Sequence, residues 1–445
     1  MRNVETIALL YATPALEAEA DVVEAPAGLK LSVIATTELS NNTDSLEADL
    51  AKAKENNEAA QAEDATVDEG EAAVSALEAF LDTAQSYLNA GGMDKNAADF
   101  FSKGTSFILE STGFSDEDKP KISLEAFEEE SNRSEQTTFA MDSVKEKISE
   151  IIAAIIAVIK KSIAWLAQRF AVIFSAANSL KSKAKAIKDK ASKSDTIKRT
   201  SGGLVDEELS RAFRIGQHAS RNLPHDITQL EKMAEVVLEQ GQKRSNFICG
   251  NIVQAMDKGD IDVSDKFQQF HSPLPGFKRV ENLDKVLNHK GHNGLGLNRS
   301  YELLGGVAVY SWFPEFEHAK SKAAETYSEM SIYDPTDLTS HSSEMPIAWL
   351  TTTEVEQLAD SVIGICDSVL AYKEMLAEVT SIKTRAVKAA ERLKDIPEEA
   401  KTEGLFWSAQ HIPRMIDQPA EAFSIYALRT CRNLLQFAEL SLAPE

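Results

Sequence analysis

Apolar residues recur three and four apart over an unusually long stretch in the middle of the chain. They fall at Ile148, Ile151, Ile152, Ile155, Ile159, Ile163, Leu166, Phe170, Ile173 and Leu180. Such steps make one continuous face of a 3.6-period helix, and the pattern predicts a helix over 139–193. A second run, Val355, Leu358, Val362, Ile365, Val369, Tyr372, Leu376 and Val379, has the same spacing. It predicts a long helix started by Thr353 and Glu356, which stand at capping-box distance. Glu374, Lys383, Arg385, Lys388 and Arg392 are read as its outer decoration, and Pro397 as its stop. A last helix over 423–442 would pack Ala427, Cys431, Leu434, Ala438 and Leu442, returning antiparallel.

Between these helices the period changes. Residues 204–221 read as one amphipathic helix ended by Asn222-Leu223-Pro224, with Asp226 as N-cap of the next. Residues 259–300 are rich in Gly, Asp, Asn, His and Pro, and Pro273-Leu274-Pro275-Gly276 is a turn signal. Leu303-Leu304-Gly305-Gly306-Val307-Ala308-Val309-Tyr310 reads as two short strands about a Gly-Gly turn, closed by Trp312-Phe313-Pro314. The expected fold is mainly α, an α-helical bundle around a long central amphipathic helix with a small β-hairpin subdomain; α+β is the alternative. Five regions follow: 1–125, 126–200, 201–260, 261–345 and 346–445.

Charge separates the first region from the rest. Residues 1–125 hold 25 Asp/Glu against 8 Lys/Arg, a net of −17 in a chain of net −23. Helical pieces are plausible at 44–62, 71–89 and 95–110, separated by Gly91-Gly92 and Gly113. Acidic, Ala-rich stretches of this kind stay mobile or pack loosely, so the region reads as detachable. By contrast, residues 143–199 carry thirteen Lys/Arg against four Asp/Glu. Lys160, Lys161 and Arg169 lie off the apolar stripe of the central helix, followed by a ladder of Lys181, Lys183, Lys185, Lys188, Lys190 and Lys193.

Three readings of that helix compete. A transmembrane span needs roughly 20 apolar residues, whereas only nine separate Glu150 from Lys160. A basic amphipathic helix resting on a membrane or on nucleic acid fits the lysines better. The plainer reading is a core helix with a solvated basic end. Lys160, Lys161, Arg169, Lys181, Lys183, Lys185, Lys188 and Lys190 are therefore the candidate contacts to DNA or membrane.

One tetrapeptide recurs in the acidic region: Ala15-Leu16-Glu17-Ala18, Ser45-Leu46-Glu47-Ala48, Ala76-Leu77-Glu78-Ala79 and Ser123-Leu124-Glu125-Ala126. It does not occur after Ala126, and its last copy stands at the composition boundary. A processing protease needs an extended, accessible segment with a recognisable side chain. Residues Ser123, Leu124, Glu125 and Ala126, just after Pro120, are the first candidate, with Glu17, Glu47 and Glu78 as further ones.

An acidic N-terminal region ending in Ser123-Leu124-Glu125-Ala126-Phe127, then Phe139-Ala140-Met141-Asp142-Ser143 and a Lys/Ile/Trp-rich helix, resembles a known group. These are the internal head, or inner-body, virion proteins of giant tailed bacteriophages of the phiKZ-like kind. The resemblance implies a propeptide removed by a phage prohead protease that cuts after Glu in a Ser/Ala-x-Glu motif. It also implies packaging with the genome, entry of some members into the host, and small β elements between helices. Asp142 stands where a second such motif would have Glu, so Glu125 is the match. The implied partners are the protease and capsid or inner-body proteins, with packaged DNA and a membrane as the further surfaces the basic helix fits. The implied locations are the head interior and, before assembly and after ejection, the host cytoplasm. A membrane-active effector using 143–193 is the alternative function.

Little in the sequence speaks for chemistry. It contains no GxxxxGK, GxGxxG, HExxH or GxSxG motif. His289 and His292 lie three apart without a Cys or acidic cluster, and His271, His318, His341 and His411 are isolated. Tyr301, Tyr310, Trp312 and Phe313 could stack bases, but their surroundings are not basic, which favours core. Cys249, Cys366 and Cys431 are far apart and read as reduced, buried thiols. The apolar run Ile7-Ala8-Leu9-Leu10 is short and preceded by Glu5, unlike a secretory signal. The expectation is a non-enzymatic protein with no cofactor, metal or catalytic residue.

Overall fold

The computed structural model describes residues 43–111, 119–120, 122–194, 203–204, 207–215, 218–258, 272–280, 295–314, 330–333, 347–394, 412–413 and 416–442. The helices are α1 (Thr43–Asn89), α2 (Lys95–Ser111), α3 (Arg133–Ser192), α4 (Glu207–Ala212), α5 (Leu223–Ala234), α6 (Gln242–Asp257), α7 (Thr352–Lys394) and α8 (Gln418–Ser441). A π-helical segment, Glu235–Gly241, joins α5 to α6. The chain divides into two compact units. Among the described residues, one lies within 59–162 and the other within 43–58 and 163–442.

The central helix is one element of 60 residues, α3. Within the first unit Ile148, Ile151, Ile152, Ile155, Ile156, Val158 and Ile159 are buried. The acidic region contributes matching apolar residues there, contrary to the expectation that it is mobile or loosely packed. α1 runs unbroken for 47 residues instead of forming two pieces. Val67, Ala73, Val74, Leu77, Leu81 and Ala84 from α1, and Ala98, Phe101 and Leu109 from α2, are all buried. Polar residues interrupt the stripe without destroying it, because burial needs only every third or fourth position. At Gly70 a Cβ would stand 3.0 Å from Ile155 Cδ1, so glycine lets α1 approach the isoleucines closely. Gly92, with φ +101°, reverses the chain between α1 and α2 where a Cβ would lie 2.4 Å from the Arg133 carbonyl carbon. Only glycine meets both demands.

The second unit holds the main core. Leu166, Phe170, Ile173, Ala177, Leu180, Ala184, Ile187 and Ala191 of α3 form a stripe buried together with apolar residues of α5, α6, α7 and α8. Phe170 stacks on Tyr372 at 4.8 Å between ring centroids. Leu46, Leu50 and Ala53 of α1 belong to the same core. α7 packs against α5, the π-helical segment, α6 and α8. The α7–α8 pair is antiparallel: the Leu350 amide before α7 donates to Ser441 Oγ at the end of α8, and Lys383 reaches Asp417 at its start.

Several boundaries differ from the sequence reading for local reasons. α7 is capped two residues earlier than expected, by Thr351 and Glu354. The Thr351 amide donates to Glu354 Oε2 at 2.8 Å, and the Glu354 amide donates to Thr351 Oγ1 at 3.2 Å. Asn222, not Asp226, caps α5, its side chain accepting from the His225 amide, while Pro224 occupies the first turn. Residues 204–221 are not one helix. They hold the short α4 and the paired two-residue strands β2 (Arg214–Ile215) and β3 (His218–Ala219).

A four-stranded antiparallel sheet, in the order β4 (Phe277–Arg279), β5 (Leu295–Ser300), β6 (Ala308–Pro314) and β7 (Met330–Tyr333), takes the place of the expected hairpin. Gly305 and Gly306 do make the turn, both with positive φ, but only Leu303 and Val307 pair across it. β6 continues through Trp312 and Phe313 and pairs with β5, which the Gly-rich composition had disguised as loop. A pair of two-residue strands, β1 (Gly203–Leu204) and β8 (Ile347–Ala348), completes the β structure among the described residues.

Candidate functional site

The candidate cleavage segment lies in the first unit, ahead of α3. Ser123 is exposed and extended, with φ −81° and ψ 107°. Leu124–Phe127 then forms one 3₁₀ turn. The Ala126 amide donates to the Ser123 carbonyl and the Glu128 amide to the Glu125 carbonyl, both at 3.2 Å. The sequence reading required an extended, accessible segment; this one is accessible, but beyond Ser123 it is a 3₁₀ turn and not extended. Pro120 precedes it, but the residues after Ser123 satisfy their backbone groups locally. Glu125 is exposed, Leu124 and Ala126 are half-buried, and Phe127 is buried.

Phe127 and its neighbours pin the downstream side. Arg133 Nε donates to the Phe127 carbonyl at 3.2 Å. Glu128 pairs with Lys95 of α2. Their hydrogen bond, and then their opposite charges, hold the Glu128 carboxyl below its ordinary value and raise the Lys95 ammonium above its own. Opening the turn for a protease cleft therefore costs two long backbone hydrogen bonds, while the flanking anchors hold. The other copies are placed differently. Glu47 and Glu78 stand inside α1 beside the buried Leu46 and Leu77, so cleavage after them requires unfolding helix. Glu17 lies outside the described residues.

The basic residues divide into three groups. Lys160 and Lys161 are exposed in the first unit, and Lys161 pairs with Glu63 at 3.3 Å. In the second unit Lys181 pairs with Asp367, Lys183 with Glu439 at 2.9 Å, and Lys188 with Asp360 at 2.5 Å. Half the ladder is thus matched by carboxylates of α7 and α8. Lys185 and Lys190 remain exposed.

Arg169 does not belong on a contact surface. It is 7% exposed, and its Nη2 lies 2.9 Å from Glu421 Oε2 and 3.4 Å from Asp417 Oδ2. Lys383 is also buried and approaches Asp417 Oδ1 at 2.5 Å. Two cations and two carboxylates thereby meet inside the core, tying α3 and α7 to the start of α8. The nearby Tyr372 hydroxyl donates to Gln242 Oε1 at 3.1 Å. Burial, and then Asp417 and Glu421, push its ionisation well above the ordinary value. The sequence reading placed Lys383 outside. Its spacing, four after Val379 and seven after Leu376, put it on the apolar stripe and was the available signal.

All three cysteines are buried and free. Burial pushes the thiols of Cys249 and Cys366 up to about 12, far from a reactive thiolate. Among the described residues, no group of three or more His, Cys, Asp and Glu is arranged to hold a metal ion. His271, His289, His292, His318, His341 and His411 lie outside the described residues. Tyr310 is fully buried in a small cluster with Leu297 and Ala308, and Tyr301 packs against the main core, its hydroxyl donating to the Gln229 carbonyl. Neither is placed to stack a base. No described helix is long and apolar enough to cross a membrane.

These features define a protein built as a long-helix scaffold, with its charge concentrated in ion pairs and on helix faces. The family of phiKZ-like phage internal head proteins matches it over residues 35–439, and the chain belongs to that family. The family is one of head-interior proteins, structural rather than enzymatic in general. No curated protein and no solved structure matches the chain.

Proposed function

We propose that this internal head protein is made as a precursor, packaged in the phage head, and cut after Glu125 by the phage prohead protease. Family membership supports the setting. The observation that carries the processing step is the contrast among the described motif copies. Glu125 is exposed in a single 3₁₀ turn, whereas Glu47 and Glu78 are embedded in a 47-residue helix. A protease acting on folded substrate meets the lowest opening cost at the turn.

Inside the head the protein would work structurally, against capsid or inner-body proteins and packaged DNA, and would leave with the genome on ejection. DNA contact would fall to Lys185 and Lys190, which are exposed, more than to Lys181, Lys183 and Lys188, which neutralise acids of the same chain. The test is terminal mapping of the protein from mature particles by mass spectrometry. The expected new N-terminus is Ala126, and Glu125→Gln should abolish it while leaving helicity unchanged. Particles containing only uncut chain would overturn the processing reading.

A further inference from the structure

Each described helix ahead of Glu125 is packed against residues that follow it. In the second unit, Leu46, Leu50 and Ala53 of α1 are 2–4% exposed within the main core. Glu47 pairs with Arg432 of α8 at 2.5 Å, and Asp49 accepts from the Ser175 hydroxyl of α3 at 2.8 Å. In the first unit, Gly70 brings α1 against Ile151 and Ile155, and Glu63 pairs with Lys161. The Met93 amide donates to Thr137 Oγ1 at 2.8 Å, and Lys95 of α2 pairs with Glu128.

We infer that hydrolysis after Glu125 nicks the protein without releasing its acidic part, so that the N-terminal helices stay bound as a non-covalent subunit. The inference rests on the processing reading only for the position of the cut. Water adds across one amide, leaving a carboxylate on Glu125 and an ammonium on Ala126. The bond lost is in an exposed turn, and none of the contacts above spans it covalently. The surface after the cut accepts one kind of partner, an acidic amphipathic helix. It seats Leu46 and Leu50 in the main core, with the Arg432 guanidinium on Glu47 and the Ser175 hydroxyl on Asp49. Once the chain is cut, this partner is the excised segment itself. The effect on charge follows directly. Asp360, Asp367 and Glu439, which match the lysine ladder, all lie after residue 125, so the nick uncovers none of those lysines.

The experiment uses the full chain, with the recognition sequence of a site-specific protease inserted between Ser123 and Leu124. Helicity and melting of the uncut insertion chain are first compared with the parent. If the insertion disturbs them, the same sequence is placed between Glu129 and Glu130. After complete cutting, the sample is passed over a size-exclusion column in native buffer and again in denaturant. The expected result is no shift in elution volume and no loss of the N-terminal fragment until denaturant is added. Separation of the two fragments in native buffer would overturn the inference. Because the added protease makes the cut, this outcome is independent of whether particles contain an Ala126 terminus. Absence of that terminus would defeat the processing reading alone.

Discussion

The two halves of α3 are the same helix held in different ways. In the first unit its stretch from Ile148 to Ile159 buries residues at seven positions, among them the adjacent pairs Ile151-Ile152, Ile155-Ile156 and Val158-Ile159. A stripe that wide cannot be covered from one side, so neighbours must approach from more than one direction. From Leu180 onward the buried set narrows to a regular three-and-four spacing, Leu180, Ala184, Ile187 and Ala191, and the flanks carry charge. Lys181, Lys183 and Lys188 meet carboxylates of α7 and α8, while Arg169 is taken inside. The first half is held mainly by apolar area, which is non-directional, beside the Met93–Thr137 hydrogen bond and the Lys161–Glu63 pair; the second adds buried charges that fix which neighbour packs where.

Four substitutions test that contrast. The largest effect belongs to the buried charges. Asp417→Ala leaves Lys383 without its carboxylate and Arg169 with Glu421 alone, which should cost about 3–5 kcal/mol in urea unfolding. Adding Lys383→Met should recover part of that loss, because the uncompensated charge is then removed with its partner. No recovery would mean that the cluster acts through packing alone. Next comes Ile155→Ala in the first half, expected to cost about 2–4 kcal/mol, since the side chain is 4% exposed and touches Gly70 closely. A loss under about 1 kcal/mol would show that the wide stripe is loosely packed. The smallest effect is that of Lys188→Met. Its pair with Asp360 is partly exposed on both sides, and such pairs contribute about 0–1 kcal/mol. A loss as large as that of Asp417→Ala would erase the distinction between lining and core charges.

The acidic region shows where pattern reading stopped. Its Ala/Glu composition and scattered Asn and Gln hid a stripe that includes Leu46, Leu50, Val67, Val74, Leu77 and Leu81, all buried. Composition averages over faces, whereas burial selects one face, so a helix can be strongly acidic and still be anchored. The same averaging disguised β5, whose Gly and Asn residues resemble a loop until β6 supplies a pairing edge. At the candidate cleavage site, the motif was legible but the turn was not. Whether Leu124–Phe127 is extended or 3₁₀ depends on Phe127 finding a buried place and on Arg133 reaching its carbonyl.

The sequence by itself determined the mainly helical class, the long central helix, the α7 and α8 stripes, the Gly-Gly turn, the buried cysteines and the family resemblance. All of these depend on local period, turn chemistry or motif, which neighbouring residues carry within a few positions. Only the tertiary structure decided which lysines face carboxylates, that Arg169 and Lys383 lie inside with Asp417 and Glu421, and that α1 is seated in both units. Those outcomes depend on residues up to 385 positions apart, as with Glu47 and Arg432. A charge on a helix flank is solvated or paired according to what the chain later places beside it, and no local pattern contains that information.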